Sequence, residues 1–590
     1  MTAHPSLALV VTVMKEESGS DRLYRCRVVP ASSAPFNEVF HFSPLYSADF
    51  YVFYLHLHLR IRLFPAEKAL FFYFWTRDFY NCCDLTGNIA DIQLHHKQYP
   101  SAASLIFSPH TTDFSILNSE PLATEGLLYM VELPINFVII GGGIAGLTAA
   151  IALSSVGHKV VVVEKRSSLE QGADDGIRMA PNFSKILYHW GLEQEVKNIA
   201  ATSRALQLYI YETGELLGKH IWDVEVLKET KGEFLTVHYS ALLQLLYDVA
   251  VSRGTEIRFN TVATSVDPVN GRVTLHSGEV LQGDVVVGAD GPSGITRRVF
   301  PRGSEPNSGM SLFSATIHRN SIINDPDLAN LSDEPVAMAN WCGNGYHSVT
   351  FPTGRDGAYS MLLYGPAKER SLIACQDLQD FVSTADKRLH KLARIATSFT
   401  HVPIIDRPLL DEWVSGRLVV IGDAAHPVLP GAVQSYAMCA EDGAMLGRLF
   451  SHLRSSDQIP FFLEAFQDLR HSRCSSVMLK EKALLSFFTL PPGEEQIMRD
   501  ESMRAKRDAG LSVLSAADAL NIEESEWWLE IKHMFSYDAE DDADNWWVQW
   551  GMLRLRASGV ALGGGLEVFQ STSKGFYEWT PELDTDLKVC

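Results

Sequence analysis

The stretch NFVIIGGGIAGLTAAIAL, residues 136–153, decides the fold of this 590-residue chain. An apolar run leads into the glycines Gly141, Gly143 and Gly146. Small apolar residues typical of a helix, Ala145 among them, surround and follow the third glycine. The first glycine permits a tight turn, the second lets a phosphate approach the backbone, and the third lets helix and strand pack closely. The pattern predicts a strand, turn and helix that hold the pyrophosphate of a dinucleotide.

A second apolar strand supports this interpretation. KVVVVEK, residues 159–165, ends in Glu164, and an acidic residue about 20 positions after the glycines is placed to bind ribose hydroxyls. The glycine pattern alone is a weak signal. With both strands and Glu164 in order, dinucleotide binding is favoured over a purely structural glycine turn.

Composition narrows the class of protein. The formal net charge of −21 argues against a nucleic-acid partner. The eight cysteines lack zinc-type spacing, so we expect no metal site and a reducing, cytoplasmic location. No apolar run reaches the length of about 18 residues that a membrane-spanning helix needs. We expect a small-molecule ligand.

The chain divides into three zones. Residues 1–129 form an N-terminal extension of doubtful structure, and Met130 stands just before the first strand of the glycine motif. The extension is interpreted as an appendage or a wrongly predicted start, with a disordered extension and a membrane-associating hairpin as alternatives. Residues 130–455 alternate strands and helices. Residues 456–590 are mainly helical and acidic, and their tryptophans are predicted to dock onto the main body.

Two later strands end in carboxylates. DVVVGADGPSGITRR, residues 284–298, runs into Asp290, and GRLVVIGDAAHP, residues 416–427, runs into Asp423. A carboxylate at a strand end can hold a ribose or ribityl hydroxyl. A helix predicted to begin near Val433 would direct its positive end at the same region.

These motifs, in this order, resemble those of the flavin-dependent aromatic hydroxylases of the salicylate and para-hydroxybenzoate hydroxylase type, over residues 134–480. The resemblance implies an α/β fold with a Rossmann-type FAD-binding domain interleaved with a mixed substrate sheet, the latter from about 202–216 and 308–400, and a helical C-terminal part. It also implies that Gly176 lies in an FAD-contacting loop and that Ser435 and Tyr436 lie at the flavin.

The chemistry implied by the resemblance is aromatic hydroxylation. In this family NADH or NADPH reduces FAD, O₂ adds at flavin C4a, and the hydroperoxide passes one oxygen to an electron-rich ring. We expect a monomer or homodimer. The alternatives are a flavin oxidase or reductase without oxygen transfer, and an inactive remnant of the fold.

Several positions depart from the family pattern. Tyr239 stands where relatives carry a cofactor-contacting arginine, so a cationic contact is predicted to be missing. Ser314 stands where many relatives have a substrate-facing arginine. Val433 and Ser435 replace glycines at the flavin and would crowd it if the backbone there requires glycine.

One residue is a candidate for catalysis. His347 lies on a predicted strand where relatives present a polar residue to the substrate, and it would help to deprotonate a phenol. The alternative is a satisfied sheet histidine. Tyr209, Tyr211 and Tyr364 are further pocket candidates, although aromatic residues at strand spacing usually belong to the core.

Overall fold

The computed structural model describes residues 131–557, apart from 170–174, 223, 333–336, 355–356, 368–374 and 515–532, and five strands before residue 131. The chain forms two units, Met1–Glu125 and Gly126–Cys590. The strands of the first unit are β1 (Leu9–Ser18), β2 (Asp21–Pro30), β3 (Phe71–Thr76), β4 (Phe79–Asp84) and β5 (Ile92–His95). They pair in the order β1-β2-β5, and β3 pairs with β4.

The second unit contains the glycine motif. Its strands are β6 (Asn136–Ile140), β7 (Lys159–Val163), β8 (Gly176–Met179), β9 (Ala200–Thr202), β10 (Ala205–Ile210), β11 (Leu216–Ile221), β12 (Leu235–His238), β13 (Glu256–Arg258), β14 (Ala263–Asp267), β15 (Arg272–Leu275), β16 (Val280–Gln282), β17 (Val285–Gly288), β18 (Asn307–His318), β19 (Ala337–Gly343), β20 (Tyr346–Thr353), β21 (Ala358–Pro366), β22 (Ser398–Ile405), β23 (Val414–Ser415) and β24 (Leu418–Val420).

Helices alternate with these strands. They are α1 (Ile144–Ser155), α2 (Pro181–His189), α3 (Glu193–Ile199), α4 (Val224–Thr230), α5 (Tyr239–Ser252), α6 (Arg319–Ile323), α7 (Cys375–Phe381), α8 (Lys387–Ile395), α9 (Ser435–Phe450), α10 (Ile459–Phe488), α11 (Glu494–Asp508), α12 (Ala539–Trp546) and α13 (Met552–Ala557). No helix among the described residues is both long enough and apolar enough to cross a membrane.

A six-stranded sheet carries all three motifs, in the order β13-β7-β6-β17-β24-β23. The first five strands are parallel, and β23 is antiparallel to β24. Neighbouring parallel strands end at the same edge of a sheet. The loops that follow β6, β7, β17 and β24 therefore lie next to one another. Glycines let α9 approach α1 closely, since a Cβ at Gly443 would come within 2.6 Å of the Ala149 backbone.

A seven-stranded sheet has the order β11-β10-β19-β20-β21-β18-β22. It is antiparallel except for the parallel pair β10 and β19. One face packs around Trp341 and Phe313, and the opposite face packs around Leu312, Phe351 and Phe488 of α10. The α/β fold with a parallel sheet, a mixed second sheet and a helical C-terminal region is confirmed.

The C-terminal helices dock onto the sheet-bearing body. Trp547 stacks on His452 at 4.6 Å between ring centroids, and Trp546 packs against Phe461 at 4.7 Å. Trp550 is 59% exposed. Docking of the tryptophans is therefore correct for the first two, whereas Trp527 and Trp528 lie outside the described residues.

Candidate active site

The glycine turn after β6 has the shape that the sequence predicts. Gly141 has φ of +108°, and a Cβ there would lie 2.3 Å from the Ala289 carbonyl oxygen. A Cβ on Gly146 would lie 1.9 Å from the Gly141 oxygen, whereas a Cβ on Gly143 would meet nothing within 4 Å. The turn thus leaves open space at the N-terminus of α1, where no side chain caps the helix.

Glu164 is tied to this turn. Its Oε2 accepts a hydrogen bond from the Gly142 N–H at 2.6 Å, and its Oε1 accepts from the backbone N–H of Arg166 at 2.8 Å. Burial alone would raise the pKa of Glu164, but the hydrogen bonds from Arg166 and Gly142 hold it below its ordinary value. The carboxylate is therefore ionised and fixed in direction.

Arg166 is a residue that the sequence reasoning missed. Its Nε donates to Glu164 Oε1 at 3.1 Å, its Nη2 donates to the Gly142 oxygen at 3.0 Å, and its charge interacts with the Tyr239 side chain. The sequence predicts that the cationic contact to the cofactor at Tyr239 is missing; the structure places the cation of Arg166 beside Tyr239, and its contact with a cofactor stays a prediction. The position two residues after Glu164 was the available signal.

Asp290 plays a local role. Its Oδ2 accepts from the Thr296 N–H at 3.1 Å, and its Oδ1 accepts from the Thr296 hydroxyl. Its backbone flanks the glycine turn, with Cα 3.1 Å from the Cβ position of Gly141. The side chain builds the turn that follows β17, and its contact with a cofactor stays a prediction.

Asp423 lies in a one-turn 3-10 helix, Gly422–Ala424, directly after β24. Its Oδ1 is buried and has no hydrogen-bond partner, and burial raises the pKa of this carboxyl group. The turn itself is anchored, because Arg297 donates to the Ala424 oxygen at 3.1 Å and to the Ala425 oxygen at 3.2 Å. A buried acceptor without a donor is a place for a ligand hydroxyl.

A buried ionic cluster lies under this turn. Asp442 Oδ2 accepts from Gly422 N–H at 2.8 Å and lies 2.6 Å from His426 Nε2, and Arg470 pairs with Asp442 at 2.8 Å and with Glu441 at 2.7 Å. Burial alone would lower the pKa of His426, but Asp442 raises it well above the usual value. These groups fix the turn from behind.

The same cluster contains three atoms of metal-ligating type. His426, Asp442 and Cys474 offer atoms within 4.8 Å of one another, all in buried side chains. The guanidinium of Arg470 already occupies Asp442 Oδ1 at 2.8 Å, and its positive charge opposes a cation there. We therefore interpret the cluster as an ion-pair network.

A cavity of about 250 Å³, here called the main cleft, lies between the loops and the seven-stranded sheet. One wall is formed by the loop 427–432 together with Asp423, Ser435 and Tyr436, and the other by residues of β18, β21 and β22. Gly176 of β8 also lines the cleft. Of the ten predicted cofactor residues, these four surround the cleft, and the others cluster around the glycine turn.

The loop that carries Val433 and Ser435 does not need glycine at those positions. Among the described residues, positive φ outside glycine occurs only at Lys231 and Asn260. The left-handed position of this loop is Gly431, with φ of +72°. Val433 packs against the apolar face of the sheet. The backbone condition for crowding at the flavin is therefore not met.

Ser314 lines the main cleft and has a hydrogen-bond partner that the sequence does not predict. Its hydroxyl donates to Asp175 Oδ1 at 2.6 Å, across 139 positions of sequence, and both residues line the cleft. The site of the absent arginine is thus occupied by a hydroxyl and a carboxylate.

Arg178 is a second residue that sequence reasoning missed. It lies two positions after Gly176 on β8, which places both on one face of the strand. Its Nη2 donates to the Gly431 oxygen at 2.5 Å, while its buried Nε has no partner. Arg178 lines both the main cleft and a second cavity of about 30 Å³, here called the side chamber. The two-residue period of the strand was the available signal.

His347 lines the side chamber and does not line the main cleft. Its ring stacks on Phe488 at 4.5 Å, and its Nδ1 lies 3.1 Å from the Trp341 oxygen. Burial, aided by Arg178, lowers the pKa of His347 to about 3, which makes it a weak proton acceptor. This geometry corrects the expected position of His347 and favours the alternative of a satisfied sheet histidine. Its catalytic role is untested.

The tyrosine candidates separate by face. Tyr364 donates its hydroxyl proton to the Pro430 oxygen at 2.9 Å and lines the side chamber. Tyr209 and Tyr211 belong to the core on the opposite face of the sheet, where Tyr209 stacks on Trp341 at 5.3 Å. These two are core residues.

Comparison with known proteins agrees with this architecture. Residues 135–479 match the sequence family described as FAD binding domain. The FAD-dependent monooxygenase OpS4 of Beauveria bassiana (strain ARSEF 2860) is 29% identical over 384 residues, which cover 63% of this chain and 89% of that protein. The 3-amino-4-hydroxybenzoate 2-monooxygenase of Streptomyces cremeus is 26% identical over 381 residues, covering 64% and 94%. A salicylate hydroxylase in a substrate complex has a TM-score of 0.55 at 17% identity, over 70% of this chain and 97% of that one.

Proposed function

From the premise that this chain belongs to the FAD binding domain family and is an FAD-dependent monooxygenase of the aromatic hydroxylase type, we propose that it consumes NADH or NADPH and hydroxylates a phenolic small molecule. Bound FAD would supply the redox chemistry and the activation of O₂. The protein's contribution is to bind the two molecules, orient them and exclude water.

The donor and acceptor groups at the strand ends fit FAD. We propose that Glu164 binds the adenosine ribose, that the open space at Gly143 takes the pyrophosphate, and that the unpartnered Asp423 Oδ1 takes a ribityl hydroxyl. Ser435 and Tyr436 begin α9 at the main cleft, where the positive end of the helix would stabilise negative charge on a bound flavin.

The observation that carries the proposal is the position of the main cleft. It lies between the cofactor loops and an apolar sheet wall that includes Leu312, Leu362 and Val402. A planar ring held against this wall would face the flavin with little water beside it. Such an arrangement suits transfer of an oxygen atom to an aromatic ring.

Arg178 is our candidate for the substrate anchor. Its partnerless, buried Nε is a donor on a charged group, and such a group is costly to leave unsatisfied. A phenol oxygen placed against this guanidinium would have a lowered pKa, because the nearby positive charge favours the phenolate. The phenolate ring is richer in electrons and therefore more readily hydroxylated.

A substrate screen tests the proposal. Purified protein loaded with FAD is mixed with NADH or NADPH and a panel of phenols, and nicotinamide oxidation, O₂ uptake and hydroxylated product are measured together. We expect at least one phenol to stimulate oxidation and to yield product in proportion to the NAD(P)H consumed. A protein that takes up FAD but forms no product with any phenol would be an oxidase or reductase, and one that takes up no FAD would be a remnant.

A further inference from the structure

The clearest charged contact that the proposed function leaves unused lies at the glycine turn. Arg166 approaches the turn from the end of β7, and its side chain is only 18% exposed. The guanidinium donates to the Gly142 oxygen at 3.0 Å and pairs with Glu164 at 3.1 Å. It is therefore held one residue away from the open space at Gly143.

Tyr239 links this cation to the rest of the site. It is the first residue of α5, its N–H donates to the Asp175 oxygen at 2.8 Å, and its hydroxyl interacts with the charge of Arg166. Its ring lies 5.9 Å from that of Tyr436, which lines the main cleft. Tyr239 thus interacts with Arg166 near the glycine turn and with Tyr436 at the cleft.

Negative charges at the glycine turn favour a cation beside it. Glu164 is an ionised carboxylate directly beside the turn, and a pyrophosphate bound there would bring further negative charge next to it. The N-terminus of α1 offers N–H groups, but it has no basic side chain of its own in the first turn. The guanidinium neutralises Glu164 and still presents N–H donors toward the turn.

We propose that Arg166, positioned by Tyr239, is the cation that binds the adenosine diphosphate half of FAD in this chain. The inference rests on the proposed placement of FAD along the three strand ends. It predicts that Arg166 contributes to the affinity for ADP as well as to the affinity for FAD. A residue that only shapes the turn would lower both affinities too, but an arginine introduced at position 239 would then restore neither.

The test measures FAD and ADP binding separately. The apoprotein is titrated with FAD, with quenching of flavin fluorescence as the readout, and ADP is then used as the competitor. Arg166→Gln should weaken FAD and ADP binding by a similar factor of about 10 or more, as expected for loss of charged hydrogen bonds. Asp423→Ala should weaken FAD binding and leave ADP binding unchanged.

Arg258 provides a matched control. It lies on β13 beside β7, and its side chain pairs with Glu256 at 2.7 Å and Glu279 at 2.9 Å on the exposed surface. Arg258→Gln should change both affinities by less than about twofold. In the double variant R166Q/Y239R, an arginine starting from the contact position of Tyr239 should recover part of the lost ADP affinity.

Three outcomes would overturn the inference: FAD and ADP affinities of R166Q equal to those of the wild type, FAD binding lost with ADP binding retained, or no competition by ADP in the wild type. Should R166Q not fold, Arg166→Met, which removes the charge and keeps the aliphatic stem, serves instead, and an unchanged ADP affinity in that variant would also overturn it. A wild-type protein that takes up no FAD would instead refute the proposed function.

Discussion

The two walls of the main cleft are built in opposite ways. The cofactor wall consists of loops at the ends of parallel strands, and its shape depends on glycines and on the ion pairs behind Gly422. The sheet wall consists of side chains on β18, β21 and β22, with Leu312, Leu362 and Val402 among the apolar ones and Ser314 among the polar ones. Few substitutions fit in the cofactor wall because its backbone turns depend on glycine. In the sheet wall a side chain can be replaced without a change in the backbone.

This difference separates two properties of the protein. Changes beneath the cofactor wall should affect folding and FAD retention together, because a fixed backbone binds the cofactor. Changes facing the substrate should affect the choice of substrate while FAD stays bound. The predictions below test that separation, from the largest expected effect to the smallest.

Arg470→Met should have the largest effect. Arg470 is fully buried and pairs with both Glu441 and Asp442, so its removal leaves these buried carboxylates with only Arg473 and His426 as charged partners. We expect the free energy of unfolding to fall by about 3–5 kcal/mol, measured by urea denaturation of the apoprotein. The control Arg504→Met breaks a half-exposed pair with Glu215 and should cost about 1 kcal/mol or less. Equal losses in the two variants would contradict the role of the buried cluster.

Glu164→Ala and Asp423→Ala should each weaken FAD binding without unfolding the protein. Each removes hydrogen bonds worth about 1–3 kcal/mol, which corresponds to a roughly 5- to 150-fold increase in Kd. The measurement is a flavin fluorescence titration, with circular dichroism as the control for folding. Unchanged affinity in both variants would show that FAD lies elsewhere.

Arg178→Gln should distinguish most directly between effects on FAD binding and effects on substrate binding. We expect FAD affinity to stay within about threefold of the wild type, while the affinity for 4-cyanophenol falls by about tenfold through the loss of a charged hydrogen bond. The perturbation of flavin absorbance reports this binding. The methyl ether 4-methoxybenzonitrile, which cannot ionise, is the matched ligand control. A parallel loss for both ligands would contradict an anchoring role.

The cofactor wall is the part of the site that sequence could predict. Where a Cβ would clash, only glycine fits, and such glycines recur at a fixed spacing in the sequence, as Gly141 and Gly146 do. The apolar strand that ends at Asp423 can likewise be recognised from local sequence alone. The parallel sheet followed from the same signals, because four apolar strands each end in such a motif.

The sheet wall was not predictable in the same way. Ser314 contacts Asp175 across 139 positions, and no local pattern encodes that pairing. The sequence could not place His347 relative to the cleft, because a strand period gives two faces and positions along each face, but not which part of a face borders the cleft. Arg166 could not be predicted because it follows β7 while its partner Tyr239 begins α5, and no local pattern links the two positions.

His347→Phe should have the smallest effect on function. The side chain stacks on Phe488 and lies outside the main cleft, so a phenylalanine ring can replace it with kcat/KM changed by less than about threefold. A loss of activity of about 100-fold or more, with a changed pH–rate profile, would instead restore the role as a base.

Acid stability gives a second measure of the same variant. The pKa of His347 is lowered from 6.5 to about 3 in the folded protein, so the unfolded chain takes up a proton first as the pH falls. The stability due to neutral His347 is therefore fully present above pH 6.5 and is lost as the pH falls toward 3, by about 1.4 kcal/mol per pH unit. H347F should show a slope smaller by that amount in urea unfolding between pH 6.5 and 4. Because His158 and His220 also have pKa values lowered to about 4, a reduced slope should remain. An unchanged slope would mean that His347 titrates normally and that the side chamber admits water freely.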